Sequence, residues 1–339
     1  MNRVTASGSG RLLQCSGHVR LPWLRETSAA AQEGTDLHAL MEDERHDEHP
    51  RTLAAWQAFT AWVEAEGYTL HEAGRDYRER AYALDVETRR ARVLRGASHR
   101  DYSDAKATEL AGTADLVAEL VNDDGLVTCV VDWKFGAEPV EADSAQMRTL
   151  AAMACLAPDG HTLGELSGVL AVIVQSPPDG RAVVRAHAYD RQDLLAHVEM
   201  LAEAMNDARE GATVLQRGPE CRYCPAANSC PAQLASLSAL VAPGGAGPIT
   251  PARAGEIWAE LRQAKKRLEA IEDACKALAA EGDGLPLPGG KRLTVVQRSR
   301  TSMDSKQLEA IARGHGASDE EIAACAKVST YTTTQEVKA

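Results

Sequence analysis

Aromatic residues are scarce in this sequence: five Trp, seven Tyr and two Phe make up 4% of 339 residues. With alanine supplying much of the 44% apolar content, closely packed helices are favoured over an aromatic-rich β-sandwich. That apolar share is enough for a buried core and excludes a disordered chain. No apolar run approaches the roughly 20 residues of a membrane span; the longest lies near Val169–Val174. Residues 1–14 lack a long apolar stretch, so no signal peptide is expected and the reading is intracellular. Basic side chains are the minority, 37 against 49 acidic, for a net charge of −12. This argues against a protein that coats nucleic acid non-specifically and leaves room for a local basic groove. Cysteine is well represented, with eight residues. In a reducing compartment these do not form a disulfide framework by default, and metal binding becomes the first question.

Apolar spacing predicts helices over Ala29–Asp47, Leu53–Glu66, Ala142–Leu156 and Gln192–Arg209. Tyr77–Glu87 reads as extended. Gly112–Val121 and Leu126–Trp133 read as strands divided by Asn122-Asp123-Asp124-Gly125, a strong hairpin signal. Gly168–Gln175 and Arg181–Tyr189 form a second pair around Pro177-Pro178-Asp179-Gly180. Residues 241–250 are Gly/Pro-rich and read as a linker, followed by a long charged helix over Pro251–Ala280. The expected architecture is an α/β core over residues 10–240, with a mixed sheet flanked by helices, and a mainly helical region over 251–339.

The chemistry concentrates in Gly112-Thr113-Ala114-Asp115 on one strand and Val131-Asp132-Trp133-Lys134 on the next. Across a hairpin, the acid at the start of the first strand can lie beside the acid at the end of the second. Two close carboxylates repel unless a cation sits between them. Oxygen ligands with free positions suit Mg²⁺ or Mn²⁺, which keep waters and take up phosphate oxygens. Lys134, two residues after Asp132, points to the same face of its strand. From there its ammonium could orient an attacking water, which together with a metal would serve phosphodiester hydrolysis. The plain alternative is strand-end acids in turns and a solvated lysine.

These motifs resemble the PD-(D/E)xK nuclease superfamily in its RecB-like branch, which implies a restriction-endonuclease-like core. That branch carries an upstream histidine in a Gly-x-x-x-His context, matched by Gly34-Thr35-Asp36-Leu37-His38. By resemblance, His38, Asp115, Asp132 and the backbone carbonyl of Trp133 would hold the metal. Lys134 would be the catalytic lysine and Gln146 the glutamine of the following helix. Glu79 stands where the family often places an acid before the hairpin; a solvent-facing strand residue is the other reading. Two positions depart from the pattern: Ala114 replaces a proline, and Leu150 replaces a tyrosine that contacts the DNA backbone.

Cys221, Cys224 and Cys230 form a C-x₂-C-x₅-C run stiffened by Pro225 and Pro231. Three thiolates so close would repel one another without a cation, and the spacing suits zinc. Cys15 lies in a loop-like setting ahead of the core, whereas Cys129, Cys155, Cys275 and Cys325 read as ordinary buried cysteines. One distant N-terminal cysteine, a nuclease core and then C-x₂-C-x₅-C resemble the AddB-type and Cas-four-type iron–sulfur nucleases and related phage proteins. That resemblance implies a structural 4Fe–4S cluster on Cys15, Cys221, Cys224 and Cys230, with zinc as the alternative.

Arg89, Arg90, Arg92 and Arg95 could track a DNA backbone; a solvated loop is the competing reading. Taken together, the resemblance implies a Mg²⁺- or Mn²⁺-dependent DNA exonuclease of phage or bacterial recombination and repair, acting in the cytoplasm of a bacterial or phage-infected cell. A single-strand annealing or recombination protein is a possible partner. A structure-specific endonuclease on the same fold, or a non-catalytic DNA-binding scaffold, remain the alternatives.

Overall fold

The computed structural model describes residues 2–23, 29–70, 78–94, 101–123, 125–157, 168–178, 180–211, 215–241, 250–280, 284–287, 291–294, 305–318 and 321. The chain divides into two compact units, Met1–Ile271 and Glu272–Ala339. The larger unit is built on one seven-stranded sheet. Its strands are β1 (Thr69–Leu70), β2 (Arg78–Asp85), β3 (Arg90–Val93), β4 (Leu110–Asn122), β5 (Gly125–Lys134), β6 (Gly168–Gln175) and β7 (Val183–Asp190). They run in the order β3-β2-β4-β5-β6-β7, with β1 pairing onto β4. Only β5 and β6 are parallel, so the sheet is mixed. A parallel neighbour needs a crossover, and α4 (Ala145–Leu156) lies in that connection.

Both faces are covered, which accounts for the near-continuous apolar runs of the central strands. On one face, α1 (Ser9–Gln14), α4 and α5 (Arg191–Glu210) bury Leu12, Met147, Leu150, Leu201 and Met205 against Val117, Val130 and Ile173. On the other, α2 (Ala29–Glu42) and α3 (Pro50–Ala65) bring Leu37, Met41 and Phe59 onto Leu116, Val131 and Trp133. Gly112 is required by close approach: a Cβ there would lie 2.7 Å from the Ala6 side chain and 3.1 Å from Leu150. Leu150, at the position of the missing tyrosine, is therefore a core residue.

The helix expected over Ala29–Asp47 ends at Glu42. Glu44 takes a left-handed φ of 59°, and the Arg45 N–H donates to the Leu40 carbonyl at 2.8 Å, closing the helix with a turn. The next helix opens at Pro50, earlier than apolar spacing predicts, because proline is suited to the first helical turn. After α6 (Pro231–Val241), residues 242–249 of the expected linker lie outside the described residues. The long helix α7 spans Pro251–Ala280 and runs across the division between the units. The described part of the smaller unit also holds the hairpin β8 (Leu285–Leu287) with β9 (Lys291–Leu293), and α8 (Ser305–Gly314). No helix among the described residues is long and apolar enough to cross a membrane.

Candidate metal centre and cysteine centre

Strand register assembles the first site. The β4–β5 ladder pairs Leu116 with Val131, which sets Asp115 opposite Asp132 at its next step. The β2–β4 ladder pairs Arg78 with Leu116 and Arg80 with Ala114, which sets Glu79 opposite Asp115. Three carboxylates thus lie in a row across three adjacent strands. Directly opposed residues of antiparallel strands share a face, so the row is a consequence of register.

His38, from α2, reaches this row with Nδ1 3.4 Å from Asp115 Oδ2. The carboxylate of Asp115 also accepts the Trp133 backbone N–H at 2.8 Å. Ligand atoms of His38, Glu79 and Asp115 all lie within 4.8 Å of one another. Lys134 Nζ is 2.5 Å from Asp132 Oδ2, and Gln146, on α4, donates to Asp132 Oδ1 at 3.1 Å. Lys134 also donates to Gln146 Oε1 at 3.4 Å, closing a triangle. The Trp133 ring is buried among Trp56 and Phe59 and anchors β5.

Asp115 and Asp132 are buried, only 4% and 3% exposed. Burial pushes the Asp132 carboxyl above the usual range, Lys134 opposes this and the Asp115 charge adds to it. His38 Nδ1 and Asp132 Oδ2 are buried without a directed hydrogen bond, despite the nearby charges. Asp132 Oδ2 already faces the Lys134 ammonium, and Asp132 is not among the converging ligand atoms. The orphaned nitrogen of His38, beside the carboxylates of Glu79 and Asp115, is therefore what fits a divalent cation here. Glu79 adopts a left-handed φ of 45° within a strand, a strained conformation that interrupts the ladder beside Asp115.

His38, Asp115, Asp132, Lys134 and Gln146 line a cleft of about 870 Å³. Thr113 lines it as well, together with residues not singled out from sequence, among them Arg3, Arg11, Tyr102 and Tyr223. Tyr102 shares a 3.0 Å hydrogen bond with Thr113, two residues before Asp115. Their chain positions are remote, so only Thr113 carried a signal, as part of the Gly-Thr-Ala-Asp motif.

The second site joins the N-terminus to the cysteine run. Cys15, Cys221, Cys224 and Cys230 line one cavity of about 20 Å³. Cys221 Sγ accepts from the Gly218 N–H at 3.4 Å and from Gln14 Nε2 at 3.8 Å. Gln14 Oε1 in turn accepts the Glu220 N–H at 3.1 Å, and a Cβ on Gly218 would stand 2.2 Å from that oxygen. Burial raises the Cys224 thiol; the Ala226 N–H and Arg11 oppose this, and Cys221 and Cys15 add to it. The net effect favours the neutral Cys224 thiol, so a charged thiolate there, the form a metal takes, calls for a bound cation. No three of these sulfurs fall within 4.8 Å of one another, since His38, Glu79 and Asp115 are the one such group among the described residues.

His18 was missed by sequence reading and lines the same cavity. Its Nδ1 is 2.7 Å from the Cys15 carbonyl, which can only accept, so Nδ1 carries the proton. The buried Nε2 has no hydrogen-bond partner.

The remaining cysteines divide. Cys129 and Cys155 are buried in the two main clusters, Cys275 is half-buried on α7, and Cys325 lies outside the described residues. Among the arginines considered for DNA, Arg92 pairs with Glu109 at 2.9 Å and Asp104 at 3.0 Å. Arg89 pairs with Glu199 at 2.8 Å, Arg90 opens β3, and Arg95 lies outside the described residues.

No curated protein matches the chain. A family model described as "Protein of unknown function (DUF2800)" matches residues 2–338, and the chain belongs to that family.

Proposed function

We propose that this protein is a Mg²⁺- or Mn²⁺-dependent deoxyribonuclease of the PD-(D/E)xK type, acting as an exonuclease at DNA ends. The observation that carries the reading is the row of Glu79, Asp115 and Asp132 across three strands, with His38 3.4 Å from Asp115 and Lys134 2.5 Å from Asp132. His38, Asp115, Asp132 and the Trp133 carbonyl would hold the metal, with Glu79 supporting it. A bound divalent ion supplies Lewis acidity and lowers the pKa of a water molecule. Lys134 holds the attacking water and offsets charge that develops on the phosphate. Gln146, bonded to both Asp132 and Lys134, keeps the two side chains in register and contacts the scissile region.

Cys15, Cys221, Cys224 and Cys230 would hold a structural 4Fe–4S cluster that ties the N-terminus to the end of the core. Tetrahedral zinc, with Zn–S near 2.3 Å, would place sulfurs about 3.8 Å apart. The cavity that the four cysteines line is small, about 20 Å³, so holding a cluster would require their side chains to turn outward.

The deciding experiment is digestion of end-labelled linear DNA and of closed circles with Mg²⁺ or Mn²⁺. Linear DNA is expected to be degraded and circles spared, with Asp132→Ala abolishing the reaction. Undiminished degradation by Asp132→Ala would refute the site; cleavage of closed circles would replace the exonuclease by an endonuclease.

A further inference from the structure

Tyr223 is 57% exposed in a chain with only seven tyrosines. It lies between Cys221 and Cys224, and it lines the same cleft as His38, Asp115, Asp132 and Lys134. The loop that carries it is short and bonded: the Cys224 N–H donates to the Cys221 carbonyl at 3.3 Å. The Arg222 guanidinium lies over its ring, 5.2 Å from the centroid, and is itself held by Glu138 at 2.7 Å. The ring is therefore positioned by the cysteine loop, partly covered on one side by a cation and otherwise open. Trp23 and Tyr102 line the cleft too, so three of the chain's few aromatics gather beside the carboxylate row.

We propose that Tyr223 is a platform on which the site stacks an unpaired nucleobase, so that the preferred substrate is a single-stranded DNA end. The inference rests on the nuclease reading and deepens it by naming the form of DNA. A base inside a duplex is stacked on both sides and cannot offer a face to a side chain; an unpaired base can. Aromatic stacking tolerates any base, which suits an enzyme that degrades a strand without regard to sequence. The arrangement also gives the cysteine centre a role in substrate binding, since it fixes the loop that presents the ring.

The test is binding, with Ca²⁺ in place of Mg²⁺ so that cleavage does not intervene. Three labelled probes are compared: a single strand, a blunt duplex, and a single strand with abasic end nucleotides. Wild type is expected to prefer the intact single strand. Tyr223→Ala is expected to lose about tenfold in affinity for it and to leave the abasic probe unchanged, while Tyr223→Phe retains binding. Metal content is measured for each variant, because the residue adjoins two cysteines. The abasic probe with wild-type protein is an arm that needs no variant. Equal affinity of wild type for abasic and intact strands overturns the platform, as does a duplex preference. DNA cleavage without these differences overturns this inference alone, whereas absence of both binding and cleavage overturns the nuclease reading with it.

Discussion

Glu79 takes a backbone conformation that strand residues with side chains avoid, and it does so directly across from Asp115. A left-handed conformation costs a non-glycine residue roughly 1–2 kcal/mol, and glycine escapes that cost. Glycine's larger unfolded-state entropy offsets part of that gain, so Glu79→Gly is expected to raise stability by roughly 0.5 kcal/mol in urea denaturation. The same change should weaken Mn²⁺ binding by tenfold or more, on the order of losing a metal-site group. Calorimetry with Mn²⁺ beside the denaturation curve checks both halves; a variant with unchanged Mn²⁺ affinity would remove Glu79 from the site. Asp115, Asp132 and Lys134 were legible in sequence because each belongs to a motif with local spacing, and Gln146 came only from the family resemblance. Tyr102, Arg11 and His18 were not legible, because nothing in their neighbours distinguishes them from surface residues.

Helix contacts carry a second, independent prediction. His197 on α5 is buried against α4, with Nε2 2.9 Å from Thr149 Oγ1. Burial, helped by the charge of Arg148, lowers its pKa from 6.5 to about 4. The unfolded chain therefore takes up a proton before the folded one. The stability that follows is complete above pH 6.5, is lost as pH falls, and stops declining near pH 4. The span corresponds to roughly 3 kcal/mol. His197→Leu should flatten the denaturation midpoint over that window, and an unchanged slope would exclude this contact as its source. Elements themselves were well anticipated: both hairpins follow their turn residues, and α7 matches its expected span at both ends. Helix α2 stopped short because Glu44 adopts a left-handed turn, which glutamate's intrinsic preferences do not announce.

In the larger unit, the chain's ends of the core are tied at the cysteine cavity. The Ser229 hydroxyl donates to the Pro22 carbonyl at 2.9 Å, and Gln14 bonds both Cys221 and Glu220. Cys224→Ser is expected to lose bound iron and brown colour and to melt several degrees lower, because metal binding to a folded site stabilises it. A variant with full iron content would end the cluster assignment. Charge makes the remaining prediction. If the protein is the proposed nuclease, a net charge of −12 and the pairing of Arg89 and Arg92 within the chain leave affinity for DNA to come largely from the metal. Metal-free protein should bind DNA weakly and lose that binding steeply with salt, so tight binding in EDTA at high salt would contradict the scheme.

Sequence by itself determined the central strands, the two hairpins, the acidic and lysine motifs and the cysteine run, since all of these depend on residues close along the chain. Strands β1 and β3 and helices α1 and α6 emerged only from the structure, β3 from a stretch that reads as a basic loop. Tertiary structure decided how they combine. Strand register placed Glu79, Asp115 and Asp132 in one row, and α2 carried His38 to it from far upstream. Packing of α1 against the 218–230 segment put Cys15 and His18 at the same cavity as the other cysteines, and left Tyr223 in the cleft. Contacts between distant segments depend on the packing of whole surfaces, and no local pattern encodes that.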